Sequence, residues 1–345
     1  MIEDETVVMP MTHDKPDRTP LIDSFGRRIT YLRLSVTDRC NLRCQYCMAE
    51  NMTFLPRSNV LSFEEILAVA GAFTARGVHK IRLTGGEPLV RNQIVDLTRR
   101  LAQLPRLREL VMTTNGLLLP KYAQPLRDAG LGRLNISLDS LDPASYQRIT
   151  RRGSLQEALA GIKAAQAAGF PRIKLNVVVM KGINDHELTG LTRFALEQHL
   201  DIAFIEEMPL GHIDSHRRGD TQLSNQTVRQ SLQDQFGLVP STVRTGGPAQ
   251  YWQKPGHNSR IGFISPHSHN FCGDCNRVRL TAEGQLLTCL GNDHSKDLKA
   301  VIRTNPGNEQ ALHHAIDAAI AHKPERHHFD PEETRIVRFM NATGG

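Results

Sequence analysis

The chain has 345 residues, 39% hydrophobic and 23% charged, with 42 Lys and Arg against 36 Asp and Glu and a formal net charge of +6. That is the composition of a globular protein with a real core, too long for one ordinary domain but suited to a barrel with an appendage. No apolar run approaches the roughly 18 residues a membrane span needs. The first twenty residues are polar, acidic and proline-containing, without the apolar h-region of a secretory signal. Residues 1–22 therefore read as a loose tail and the protein as cytoplasmic. The modest basic excess suits an anionic small molecule better than nucleic acid, because one Trp and five Tyr make no basic–aromatic array.

In chain order, short apolar strands alternate with amphipathic helices. The spacing predicts strands at 29–36, 80–84, 109–113, 133–138, 173–179 and 202–208, and helices near 62–76, 92–104, 121–129, 155–168 and 186–198. The first helix carries a capping box in Ser62 and Glu65, a hydrophobic staple in Leu61 and Ile66, and a stop in Gly77. Six βα-type units argue for a parallel α/β sheet. Alternation alone does not separate an open doubly wound sheet from a barrel.

Strand parity speaks to that choice. Leu32, Leu34 and Val36 share one face and Tyr31, Arg33 and Ser35 the other; Ile81 and Leu83 stand against Arg82 and Thr84. Leu134, Ile136 and Leu138 stand against Arg133, Asn135 and Ser137, and Ile173, Leu175, Val177 and Val179 against Arg172, Lys174 and Asn176. A packed barrel core does not place Arg33, Arg82 and Lys174 inside. A wide, incompletely closed barrel with a wet, positive lumen does, whereas charges edging an open sheet are the competing reading.

The loops after these strands carry the distinctive residues. Cys40, Cys44 and Cys47 follow the first strand in the spacing C-x3-C-x2-C. Thr84-Gly-Gly-Glu-Pro88 follows the second, Thr113-Thr-Asn-Gly116 the third and Ser137-Leu-Asp-Ser140 the fourth, while Met208 closes the sixth. All lie at C-terminal strand ends, the rim where α/β proteins build active sites. Three thiolates on one loop can grip three irons of a [4Fe–4S] cluster and leave the fourth iron open. Structural zinc prefers four protein ligands, and a disulfide framework needs an oxidising compartment.

After residue 208 the pattern breaks into a polar loop over 209–222, a helix near 224–236 and a turn at 245–250. A second triplet follows, Cys272 and Cys275 in C-x2-C, then Cys289 after thirteen intervening residues. By itself this spacing suits zinc as well as iron, with His267, His269 or His294 as fourth ligand. Strand alternation puts Arg277 and Arg279 on one face, where planar guanidinium groups suit phosphate oxygens.

The first triplet, with Tyr46 before its last cysteine, resembles the signature of the radical S-adenosylmethionine (SAM) superfamily. Together with Lys80-Ile-Arg-Leu-Thr-Gly-Gly-Glu-Pro88, Cys272-Gly-Asp-Cys-Asn-Arg277 and the terminal Gly344-Gly345, the chain from about Asp23 onward resembles the GTP 3′,8-cyclases of molybdenum cofactor biosynthesis. The resemblance implies an incomplete (β/α)6 TIM-like barrel over 23–240, and a C-terminal region over 241–345 that carries a second cluster and closes the barrel's open side. It implies two [4Fe–4S] clusters on Cys40, Cys44 and Cys47 and on Cys272, Cys275 and Cys289. SAM is then contacted by Tyr46, Gly86, Ser137 and Met208, and GTP by Arg33, Arg82, Thr113, Lys174, Arg277, Val278 and Arg279. Catalytic roles fall to Arg277, Arg279 and a Gly344-Gly345 tail reaching into the site.

The reaction implied is radical conversion of GTP to (8S)-3′,8-cyclo-7,8-dihydroguanosine 5′-triphosphate. A low-potential donor supplies electrons, and the product passes to cyclic pyranopterin monophosphate synthase. A homodimer is compatible with the chain, whose sequence carries no signal of oligomeric state. Two rival readings remain: another two-cluster radical SAM enzyme, such as a peptide-modifying one, and a non-catalytic iron–sulfur or zinc sensor. His313, His314, His322, His327 and His328 read as solvated residues on or after a surface helix, and Trp252 as packing.

Overall fold

The computed structural model describes residues 19–211, 213, 216, 218–327, 329 and 338–344, so most of the expected tail, His328 and Gly345 lie outside the described residues. Its spine is one twelve-stranded sheet. The alternating region supplies β1 (Tyr31–Ser35), β2 (Lys80–Thr84), β3 (Glu109–Thr114), β4 (Arg133–Ser137), β5 (Ile173–Val179) and β6 (Asp201–Glu206). They pair in parallel in that order. Around them pack α1 (Phe63–Thr74), α2 (Ile94–Ala102), α3 (Leu119–Asp128), α4 (Pro143–Thr150), α5 (Leu155–Ala167) and α6 (Leu188–Glu197). Leu32, Leu34, Ile81, Leu83, Leu134, Ile136, Leu175 and Val177 form the helix-facing side and are fully buried. Each contributes roughly 1.5–3 kcal/mol of burial.

The sheet is strongly curved. Arg33 on β1, Arg82 on β2, Thr113 on β3, Asn135 on β4, Lys174 on β5 and Ile205 on β6 all line one cavity. In a flat sheet, strands one and six stand roughly 24 Å apart. Their convergence makes the inner face a lumen, as the parity of the sequence implies, and the sheet is not closed by hydrogen bonds.

The C-terminal region extends this same sheet. After α7 (Arg218–Thr221) and α8 (Asn225–Phe236) come β7 (Val239–Pro240), β8 (Gln250–Gln253), β9 (Arg260–Ile264), β10 (Arg277–Leu280), β11 (Gln285–Leu287) and β12 (Ser295–Asp297). β9 adds in parallel to β6, and β10 adds in parallel to β1 at the opposite edge. Two strands consecutive in the chain thus stand on either side of the unclosed seam. The connection between them, residues 265–276, crosses that seam and carries Cys272 and Cys275. Then α9 (Leu298–Thr304) and α10 (Glu309–Ala321) pack on α1, and α11 (Met340–Thr343), capped by Gly344, is the last described element.

Local signals act as expected at α1. Ser62 and Glu65 form the reciprocal capping box, and Gly77, at φ +91°, hydrogen-bonds Thr74 while Val78 reaches Phe73, a Schellman ending. One helix is missed and two expectations need correction. Residues 143–150 form a helix that periodicity misses because it has only two turns; Asp142 caps it through the Ser145 N–H, and Pro143 starts it. β6 stops at Glu206, so Met208 lies two residues beyond the strand. His313 is buried on α10 rather than solvated, whereas His314 and His322 are exposed. Trp252 packs edge-on against Phe263 with ring centroids 5.3 Å apart. Among the described residues no helix is long and apolar enough to cross a membrane.

Candidate active site

Two cavities, each enclosing about 1150 Å³ and 1140 Å³ of non-atom space including their open mouths, lie end to end in the lumen. They share Thr113, Asn176, Ile205, Met208 and Met340 as a common wall.

The first cavity is built on the loop after β1. Cys40, Cys44 and Cys47 line it, and the loop is pinned to the end of α4 by Arg43 N–H on Thr150 O and Gln45 N–H on Ile149 O. The loop after β2 is pressed against it. The Gly86 N–H donates to Thr37 O and the Glu87 N–H to Arg39 O, both at 2.8 Å. A side chain at Gly85 or Gly86 would run into the backbone of residues 37–39, so two glycines are needed for this approach. Buried Glu87 accepts from the Thr114 hydroxyl and from the N–H groups of Asn115 and Leu89. Asn115 in turn donates to Asn41, beside Cys40. The three rim motifs are thus one hydrogen-bonded unit. Burial raises Glu87 to about 7 despite those donors.

Tyr46, Gly86, Ser137 and Met208 all line this cavity. The Tyr46 hydroxyl donates to Asp139 at 2.8 Å, and burial raises the Asp139 carboxyl to about 6. The charged residues on its wall are Asp139, Glu206 and Glu207, with no Lys or Arg. Glu206 accepts the N–H groups of Asn225, His267 and Ser268, tying β6 to α8 and to the seam-crossing connection. Glu207 bonds the His216 ring and the Thr221 hydroxyl.

The second cavity has the opposite sign. Arg33, Arg82, Thr113, Lys174, Arg277, Val278 and Arg279, all expected from the sequence, line it with Cys272, Cys275 and Cys289. Lys80 and Arg133 join them, and no Asp or Glu does. Lys80 shares the parity of Arg82 and Arg133 that of Asn135, so both were legible as lumen residues. Arg82 donates to Thr113 at 3.0 Å and to the Tyr31 hydroxyl. Burial raises the Tyr31 phenol, but Arg82, Arg33 and Lys80 outweigh it and bring it down to about 6. Burial first, then neighbouring cations, lower Arg33 to about 10 and Arg279 well below its usual range. Gly344 reaches this cavity: its carbonyl accepts from Arg33 and Arg279, and a side chain there would strike Thr84.

The thiols fit iron–sulfur ligation. All six are free, and each triplet faces a single cavity. Burial raises Cys40 to about 11 and Cys47 to about 12, and holds Cys44 well above the usual thiol range. Such thiols ionise only against a metal, which suits ligands and not free nucleophiles. Burial also raises Cys275, but Arg277 and Lys323 prevail and bring it down to about 7. His267, His269 and His294 do not line the second cavity; His267 is held on Glu207 O. Among the described residues no three His, Cys, Asp or Glu side chains converge on a single-ion site. A cluster needs no such convergence, because each thiolate binds a different iron.

A parallel, laterally open barrel with three cysteines on its first rim loop defines a radical SAM fold. Residues 34–195 match the Radical SAM superfamily and residues 200–329 the Molybdenum Cofactor Synthesis C family. SuiB of Streptococcus suis, solved bound to S-adenosylmethionine, shares the fold with a TM-score of 0.61 at 15% identity, over 85% of this chain and 69% of that one. The chain belongs to the GTP 3′,8-cyclase family: it is 60% identical to the GTP 3′,8-cyclase of Pseudomonas putida strain W619 over 327 residues, 94% of this chain and 98% of the relative. It is 56% identical to that of Ectopseudomonas mendocina over 326 residues.

Proposed function

We propose that the chain catalyses the first step of molybdenum cofactor biosynthesis, cyclising GTP to (8S)-3′,8-cyclo-7,8-dihydroguanosine 5′-triphosphate. The observation that carries this reading is the pairing of two contiguous cavities of opposite charge, each walled by a cysteine triplet. When bound, two [4Fe–4S] clusters and SAM supply the one-electron and hydrogen-abstraction chemistry. Cys40, Cys44 and Cys47 would hold one cluster and Cys272, Cys275 and Cys289 the other.

The protein's own residues divide the remaining work. Tyr46, Gly86, Ser137 and Met208 orient SAM, whose sulfonium and ammonium charges suit a wall of Asp139, Glu206 and Glu207. Arg33, Arg82, Lys174, Arg277 and Arg279, with Thr113 and the Val278 segment, hold GTP. Burial first, and then the neighbouring cations, lower Arg33 and Arg279, so a triphosphate entering among them offsets lost hydration and mutual repulsion as well as forming charge-assisted bonds. The shared wall of Thr113, Asn176, Ile205, Met208 and Met340 carries no charge, which suits the place where substrate and cofactor meet. Arg277, Arg279 and the tail at Gly344 complete the substrate end, the role expected of Gly345 falling outside the described residues, with 23–240 forming the barrel and 241–345 the closing region. A low-potential electron donor and a cyclic pyranopterin monophosphate synthase are the partners proposed, in the cytoplasm, where thiols stay reduced.

The test is one anaerobic assay with iron, sulfide, SAM, dithionite and GTP, analysed by mass spectrometry. 5′-Deoxyadenosine with a cyclised GTP derivative is expected. 5′-Deoxyadenosine with unchanged GTP would overturn the substrate, and neither product from iron-loaded protein would overturn the reaction class.

A further inference from the structure

Lys323, just past the end of α10, is only 2% exposed. Its Nζ donates to the Cys275 sulfur at 3.5 Å, to Arg277 O at 3.2 Å and to Thr288 O at 2.5 Å. Arg277 lies two residues after Cys275, and Thr288 directly precedes Cys289. One ammonium, with three donors, therefore joins the two segments that carry the second triplet and gives its third bond to sulfur. A buried ammonium survives only when its donors are met, and here each has an acceptor. The neighbouring chain is fixed from the other side. Arg27, ion-paired to Asp23 at 2.6 Å, donates to Cys272 O, Glu325 O and Pro324 O. The stretch 323–325 is thereby held against both ends of the triplet.

We propose that Lys323 is a positioning residue for the second iron–sulfur site, fixing the Cys275 and Cys289 segments and donating an N–H to sulfur that sets the site's reduction potential above what the thiolates alone would give. Hydrogen bonds and positive charge at a ligand sulfur stabilise the more electron-rich state. No Lys or Arg lines the first cavity, although Arg43 and Arg218 act on Cys40 and Cys47 from outside its wall. The inference rests on Cys272, Cys275 and Cys289 being cluster ligands.

The experiment is a redox titration of full-length, reconstituted protein followed by electron paramagnetic resonance, with iron and sulfide analysis. Wild type should show two transitions. In Lys323→Met one transition should fall enough to change the reduced-to-oxidised ratio about tenfold at fixed potential, about 59 mV for one electron, while the other stays. Lys323→Arg, which keeps a cationic donor, should hold the wild-type value. Selective loss of about half the iron with SAM cleavage retained also supports the proposal. Two unmoved transitions, or two that shift together, overturn it. If Lys323→Met is insoluble, Lys323→Gln is judged by the same criterion. A single transition in wild type would instead sink the reading of the second triplet, and the role of Lys323 with it.

Discussion

Cys40, Cys44 and Cys47 sit in a cavity whose charged wall residues are Asp139, Glu206 and Glu207, whereas Cys272, Cys275 and Cys289 sit in one whose charged wall residues are all Lys or Arg. The ligand chemistry is the same in both places; the surroundings have opposite sign. Surroundings of that kind select what binds beside a metal group: a sulfonium and ammonium compound in the first, a polyphosphate in the second. Burial pushes Cys47 up to about 12 and raises Cys289 as well, whereas at Cys275 the charges of Arg277 and Lys323 outweigh burial and bring it down to about 7.

The largest test of this contrast is to remove one ligand from each side. Cys44→Ala should abolish 5′-deoxyadenosine formation, while Cys275→Ser should retain SAM binding and lose GTP turnover, as read by product analysis. Equal loss of SAM binding in both would erase the distinction. Next in size, Lys174→Ala removes one charge-assisted contact worth about 1.5–3 kcal/mol. GTP affinity should fall roughly ten- to hundredfold by calorimetry, with SAM affinity unchanged.

A subtler probe is alkylation of metal-free protein, mapped by mass spectrometry from pH 6 to 9. Alkylation goes through the thiolate, so the labelling rate of Cys275 should rise with a midpoint near pH 7, while Cys40, raised to about 11, should stay essentially unlabelled in the time that saturates Cys275. Labelling of Cys40 at neutral pH would contradict the burial argument. The smallest effect is expected at Ser62→Ala, which breaks the α1 capping box. It should cost about 1 kcal/mol in denaturant unfolding and leave both ligand affinities alone, separating general stability from the two sites.

Much of this was legible beforehand. Both triplets, the rim motifs and the inward parity of Arg33, Arg82 and Lys174 stand in the sequence, because thiol spacing and a period of two are local properties. α4 was not legible, since eight residues hold too few repeats for periodicity, although Asp142 and Pro143 marked its start. Lys323 was not legible either. Nothing in its neighbourhood of the chain points to a sulfur forty-eight residues earlier.

The sequence alone determined the alternation of strands and helices, the two sets of metal-competent thiols and the inward parity of Arg33, Arg82 and Lys174. Tertiary structure alone decided that β9 and β10, neighbours in the chain, add to opposite sides of the β1–β6 sheet, so that their connection carries the second triplet across the seam. Strand partners are chosen by long-range packing and backbone pairing, which no local pattern encodes. That choice brings a basic cavity and an acidic one end to end, sharing Thr113, Asn176, Ile205, Met208 and Met340.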